Sequence, residues 1–177
     1  MNLILRLLRV FLAALSKPRI ALLDEAELTF RVLPTDMDIN RHMTNARYLS
    51  FMDLGRTDLL IRAGMLGVIK QERWMAVVGS VNIKFRRPLH LFQHFTLKSR
   101  LTCWDDKWLY LEQRIESARG LHSVATVRGL FVGKKGSVPT RVVLERMGHL
   151  GESPPFPQEV LSLSAWNGSG KRLSAVN

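Results

Sequence analysis

In "ELTFRVL" the apolar residues fall on alternate positions. Leu28, Phe30 and Val32 share one face, and Glu27, Thr29 and Arg31 share the other. A period of two marks a half-buried strand, and Pro34 ends it. The rhythm then changes. From 45 to 63, Tyr48, Leu49, Met52, Leu59, Leu60 and Ala63 recur at three- and four-residue steps. That spacing predicts a long helix, which Thr44 or Asn45 can cap and Gly64 can stop. Alternation resumes from 75 to 133, with Val81, Ile83 and Phe85 in one apolar row and Phe95, Leu97, Ser99, Leu101 and Cys103 in a second. "WDDKW" offers a tight turn into Leu109, Leu111 and Ile115, and "ARG" a turn into a last strand from Leu121 to Val132. Pro139 opens a short helix that Gly148 stops.

One strand, one long helix and four meandering strands give an α+β class, a five-stranded antiparallel sheet wrapped around a central helix. The expected organisation is an amphipathic apolar and basic segment over 1–20, a folded domain over 24–135, a helical arm over 136–165 and a disordered tail over 166–177.

The opening "MNLILRLLRVFLAALSKPRI" is apolar but short, and Arg6 and Arg9 interrupt it. It falls below the length of a comfortable membrane span. As a helix it is amphipathic and basic, suited to lie among lipid headgroups with Leu5, Leu8, Phe11, Leu12 and Leu15 buried. Two other readings stay open. The helix can dock on the protein itself, or the segment can be a signal, although its charges split the apolar run and "ALSKP" makes a poor cleavage site.

The chain has 177 residues, 46% of them hydrophobic and 23% charged, enough for a substantial core. Its net charge of +11 points to an anionic partner. Nucleic acid is not expected, because no recognition motif accompanies the charge and the arginines are dispersed. The single cysteine, Cys103, excludes an intramolecular disulfide and a cysteine zinc cluster, and it reads as a small core residue.

"DMDINRHMTNARYL", residues 36–49, is where polar chemistry concentrates. Such groups are costly to desolvate without partners. A metal site is not expected, since His42 with Asp38 or Asp36 lacks a second histidine or glutamate at ligand spacing. A helix cap needs one Asp or Asn, whereas this segment has four before residue 46. The excess points to catalysis.

"DMDINRHMTNARY", the long helix behind it and "KFRRPL" on the next strand resemble the hotdog-fold acyl-CoA thioesterases of the 4-hydroxybenzoyl-CoA thioesterase type. The segment is also similar to the D-x-D-x-N-x-H-x-x-N pattern of plant fatty acyl-ACP thioesterases. The whole layout, with "VVGSVNIKFRRPL" and "WDDKW", resembles the membrane-associated thioesterase-superfamily-member-6-like group. The resemblance implies a nucleophile or water-activating base at Asp38, supporting groups at Asn40 and His42, and a carbonyl-polarising N–H at Asn45. Asp36 matches the first acid and reads as structural. Thr44 departs from relatives that carry asparagine there.

The physics agrees with that assignment. Thioester hydrolysis needs a nucleophile and a place for negative charge on oxygen, and a helix N-terminus offers free N–H groups for it. Arg86 and Arg87, with Lys84 and His90 nearby, suit coenzyme A phosphates, or form a solvated basic strand end. Tyr48 is a further substrate-binding candidate, whereas Trp104 and Trp108 read as sheet-end packing. The expected activity is hydrolysis of a fatty or aromatic acyl thioester of coenzyme A or acyl carrier protein, without metal or other cofactor. The alternatives are a non-catalytic acyl- or lipid-binding protein and an enoyl-thioester hydratase or dehydratase. A homodimer or homotetramer is expected, cytoplasmic, with peripheral contact at the inner face of a membrane through residues 1–17. That segment is expected to tether the enzyme without contributing to hydrolysis.

Overall fold

The protein is described by a computed structural model covering residues 2–166. Five strands, β1 (Ala26–Arg31), β2 (Met75–Phe85), β3 (His94–Trp104), β4 (Leu109–Ser117) and β5 (Gly120–Gly133), form an antiparallel sheet in the order β1-β3-β4-β5-β2. A short sixth strand, β6 (Gly136–Val138), extends β5 through a glycine turn. The long helix α2 spans Asn45–Arg62 and lies against the concave face of the sheet. This is the hotdog arrangement.

The alternation that predicts the strands is the alternation that builds the core. On β3, Phe95, Leu97, Ser99, Leu101 and Cys103 are buried, and Phe51, Met52 and Leu54 of α2 meet Phe95 and Leu97 from above. Helix and sheet come very close at Gly55, where a methyl group would sit 2.5 Å from Ser99 Oγ and 2.7 Å from a Leu97 methyl. Glycine is tolerated here in mid-helix because any side chain would drive the two layers apart.

One helix lies outside the expected plan, and two others occupy the stretch expected to be a helical arm. A short helix, α3 (Met65–Glu72), follows α2 directly, and Met65 is buried against Phe131 and Val143. Helix α4 (Thr140–Arg146) lays Val143 and Leu144 across the sheet end, and α5 (Gln158–Trp166) buries Val160 against Cys103 and Tyr110. The expected tail lies, beyond Trp166, outside the described residues.

Helix α1 (Asn2–Ser16) docks along α2, burying Val10 and Ala14. Its two cationic positions part company. Arg9 is exposed, but Arg6 turns inward rather than joining a solvent-facing basic side. The reason is electrostatic: Asp36 is fully buried, and a buried carboxylate needs a counter-charge. At the other end Lys17 reaches the buried Asp58 at 3.4 Å. Ile4, Leu5, Leu8, Leu12 and Leu15 remain on the outer face, exposed.

Candidate active site

The loop from Leu33 to Thr44 is folded around Asp36. Both carboxylate oxygens accept from the Arg6 guanidinium at 2.9 Å, Leu33 N–H donates to Oδ2 at 2.9 Å, and Arg47 stands 3.6 Å away. Thr44 N–H closes the loop onto the Asp36 carbonyl at 3.0 Å, and Met37 and Met43 face each other in a two-residue bridge. Asp36 is the structural acid of the pair.

Asp38 sits at the outer tip of this small hairpin. Its N–H donates to the His42 carbonyl at 3.0 Å, and Oδ1 accepts from Asn40 N–H at 2.8 Å and, more weakly, from His42 N–H at 3.5 Å. Arg41 takes a left-handed conformation, φ 60°, to complete the turn. The Asp38 side chain is exposed, and among the described residues its second oxygen has no hydrogen bond. One oxygen is therefore oriented and the other is available.

The second wall is the segment after β2. Met43 N–H donates to the Leu89 carbonyl at 2.8 Å, His42 bridges His90, and the two imidazole rings meet edge to face at 5.9 Å. Tyr48 is 2% exposed and works from beneath: its hydroxyl accepts from Leu89 N–H at 3.2 Å, and its ring meets Phe85 edge-on. Burial pushes its phenol above the ordinary range. Arg86 and Arg87 are exposed on the same stretch, with Arg87 donating to the Arg119 carbonyl.

That stretch is anchored by a residue the sequence did not single out. His122 is 1% exposed, and its carbonyl accepts from Arg86 N–H at 2.8 Å and Arg87 N–H at 3.2 Å. Its Nδ1 lies 3.2 Å from the Arg87 carbonyl and its Nε2 lies 2.7 Å from Ser117 Oγ. A carbonyl only accepts, so Nδ1 carries the proton and Nε2 accepts from the serine. Burial holds this imidazole below the usual histidine range, in its neutral form.

Between these walls lies the N-terminus of α2. Its N-cap is Thr44, whose hydroxyl makes no capping bond, and Asn45 opens the helix exposed. Arg47 N–H turns back to the Thr44 carbonyl at 2.8 Å, and no side chain caps the helix start, which carries about half a positive charge. Through His42 and Met43 the Asp38 loop packs on His90 and Leu89, which follow Arg86 and Arg87 closely in the chain. An accessible carboxylate beside an open helix N-terminus can activate water or attack a carbonyl while the developing oxyanion is stabilised.

A cavity of about 260 Å³ lies elsewhere. It runs between the second half of α2 and the other end of the sheet, walled by Leu60, Leu111, Val127, Phe131, Leu144 and Met147, with Asp53, Arg56 and Thr57 on its polar side. None of the residues expected to catalyse or bind lines it. No single segment announces it, because its wall is assembled from α2, α3, α4 and four strands.

The sequence profile of the thioesterase-like superfamily matches residues 32–163. The chain is 33% identical over 153 residues to Protein THEM6 of Xenopus laevis, covering 85% of this chain and 72% of the frog protein. Among solved structures, the probable thioesterase YbaW of Escherichia coli shares 26% identity with a TM-score of 0.63, covering 68% of this chain and 97% of that one. A probable thioesterase from Bartonella henselae shares 25% identity with a TM-score of 0.58, covering 66% and 97%.

Proposed function

Because the chain belongs to the thioesterase-like superfamily and is a thioester hydrolase, we propose that it cleaves acyl-CoA to free acid and coenzyme A, with Asp38 supplying the base or nucleophile. The observation that carries this reading is the contrast between its two acids. Asp36 is buried and fully paired, whereas Asp38 is exposed, oriented through one oxygen and set beside the open start of α2. In the sequence, Asp38 acts on the thioester carbon or takes a proton from water, and the α2 N–H groups receive the carbonyl oxygen. His42, beside His90, orients the water or the leaving thiolate. Arg86 and Arg87 meet the coenzyme A phosphates. A non-catalytic acyl carrier would call for an Asp38 buried and satisfied by backbone, which is not its state.

The test is thiol release from acyl-CoAs of several lengths, comparing wild type with Asp38→Asn. Hydrolysis by wild type alone supports the reading, and equal hydrolysis by both sinks it.

The same proposal includes an oligomer and a membrane. Strand β2 is an edge strand of eleven residues with Met75, Val78 and Phe85 exposed. An open edge of that length invites pairing, and two β2 edges joined antiparallel bring a second chain beside each α2 mouth. On α1, aliphatic side chains including Ile4, Leu8 and Leu12 are exposed along with Arg9, a surface fitted to anionic lipid. No helix among the described residues is long and apolar enough to cross a membrane.

A further inference from the structure

The cavity beneath the second half of α2 has no role in the chemistry above, yet protein interiors rarely keep so large a void. At roughly 30 Å³ per water- or methylene-sized group, its volume of about 260 Å³ takes eight or nine of them. The wall is aliphatic, with Phe131 its only aromatic member among the described residues, so a flexible chain suits it better than a ring.

Its mouth is aligned with the active site. Asn45, Leu49, Asp53, Thr57 and Leu60 recur at three- and four-residue steps and so form one stripe along α2. The stripe starts at the helix N-terminus beside Asp38, passes the exposed Leu49, and enters the cavity at Asp53 beside the half-exposed Val78. Asn45 to Asp53 is two turns, about 12 Å. The charges at the mouth cancel. Arg56 is bonded to Asp53 and donates to Gln113 Oε1 at 2.6 Å, so no net charge is offered to an anionic head. The occupant is therefore uncharged and enters tail first. The floor is made by Leu144 and Met147 of the α4 region, outside the helix and five strands of the fold.

We propose that this cavity receives the distal part of a long aliphatic acyl chain, whose thioester lies at Asp38, and that α4 sets the maximum length. This rests on the hydrolase reading and narrows it: short and aromatic acyl groups reach neither mouth nor floor.

The experiment measures kcat/KM for saturated acyl-CoAs from butanoyl to octadecanoyl. Each methylene that enters the cavity should raise it about fourfold, after a stretch of shorter chains with little gain and before a plateau. Ala63→Phe, which fills the cavity, should lower the ratio of long-chain to short-chain kcat/KM more than about tenfold by displacing at least two methylenes. Met147→Ala, which deepens it, should move the plateau to longer chains. A chain-length profile identical to wild type in both variants, with native melting temperatures, overturns the proposal. If wild type hydrolyses no acyl-CoA at all, the hydrolase reading falls by itself. Calorimetric binding of the thioether S-hexadecyl-CoA then decides the cavity: weaker binding by Ala63→Phe supports it, and equal binding overturns it.

Discussion

Asp36 and Asp38 are separated by one residue, yet Arg6 holds the first through both terminal nitrogens and solvent reaches the second. Their substitutions should differ accordingly. Asp38→Asn preserves shape and removes charge, so turnover should fall at least about a hundredfold, the lower range for a general base, with the unfolding midpoint unmoved. Asp36→Ala strands the partly buried Arg6 and should cost about 3 kcal/mol or more in urea denaturation, as expected when one partner of a buried pair is removed. His122 gives a pH prediction. Its folded pKa lies below the unfolded value because burial disfavours the cation, so between the two values the unfolded chain binds the extra proton. Stability therefore falls as pH drops below about 6.5, the free histidine value. His122→Asn should reduce the loss seen in denaturation curves between pH 7 and pH 5, and an unchanged loss would clear His122 of the effect. At this scale the sequence was informative about Asp38 and Asp36, because a local motif carried them. It was silent on the pairing of Arg6 with Asp36 and on the hold of His122 on Arg87, contacts that span 30 and 35 residues of chain.

Helices and strands were the most legible level, since their periodicity is a local property of who faces the core. The 45–63 pattern became Asn45–Arg62, and each alternating row became a strand. Helix α3 was not separated from α2 because Gly64 reads as a stop whether or not a new helix begins, and here it begins with a buried methionine. The first helix was legible as amphipathic but not in orientation. Periodicity places Arg6 and Arg9 on one side, and only the buried Asp36 explains why one of them turns inward. The element-scale prediction concerns the outer face. Leu8→Glu with Leu12→Glu leaves the docked face intact and should shift the protein from anionic vesicles to the supernatant in a sedimentation assay, with wild-type binding weakened by salt. Co-sedimentation that ignores both the substitutions and the salt would remove α1 as the contact.

For the molecule as a whole, the exposed β2 edge and the apolar side chains beside it argue for assembly. Val78→Asp with Phe85→Asp should shift sedimentation at micromolar concentration toward the monomer and lower turnover together with it. A wild type that sediments as a fully active monomer would refute the assembly. Mixed dimers of Asp38→Asn and Arg86→Ala/Arg87→Ala chains should regain activity if the phosphate contacts come from the partner. Neither the edge contact nor the cavity is legible in one sequence, because both depend on surfaces assembled from separated segments.

The fork between Arg6 and Asp36 carries a consequence for α1 that its lipid-facing side does not suggest. Asp36 holds the base of the hairpin whose tip is Asp38, so α1 is a structural member of the Asp38 loop rather than a detachable leash. Removing residues 1–17 takes away the counter-ion of a buried acid, and turnover should fall even with a water-soluble substrate, contrary to a pure tether. Linkage is also reciprocal. If a bilayer strengthens the hold of α1 on the loop, acyl-CoA bound at the loop must strengthen the hold on the bilayer by the same factor. Substrate would then act as a retention signal, keeping the occupied enzyme at the surface and releasing the empty one.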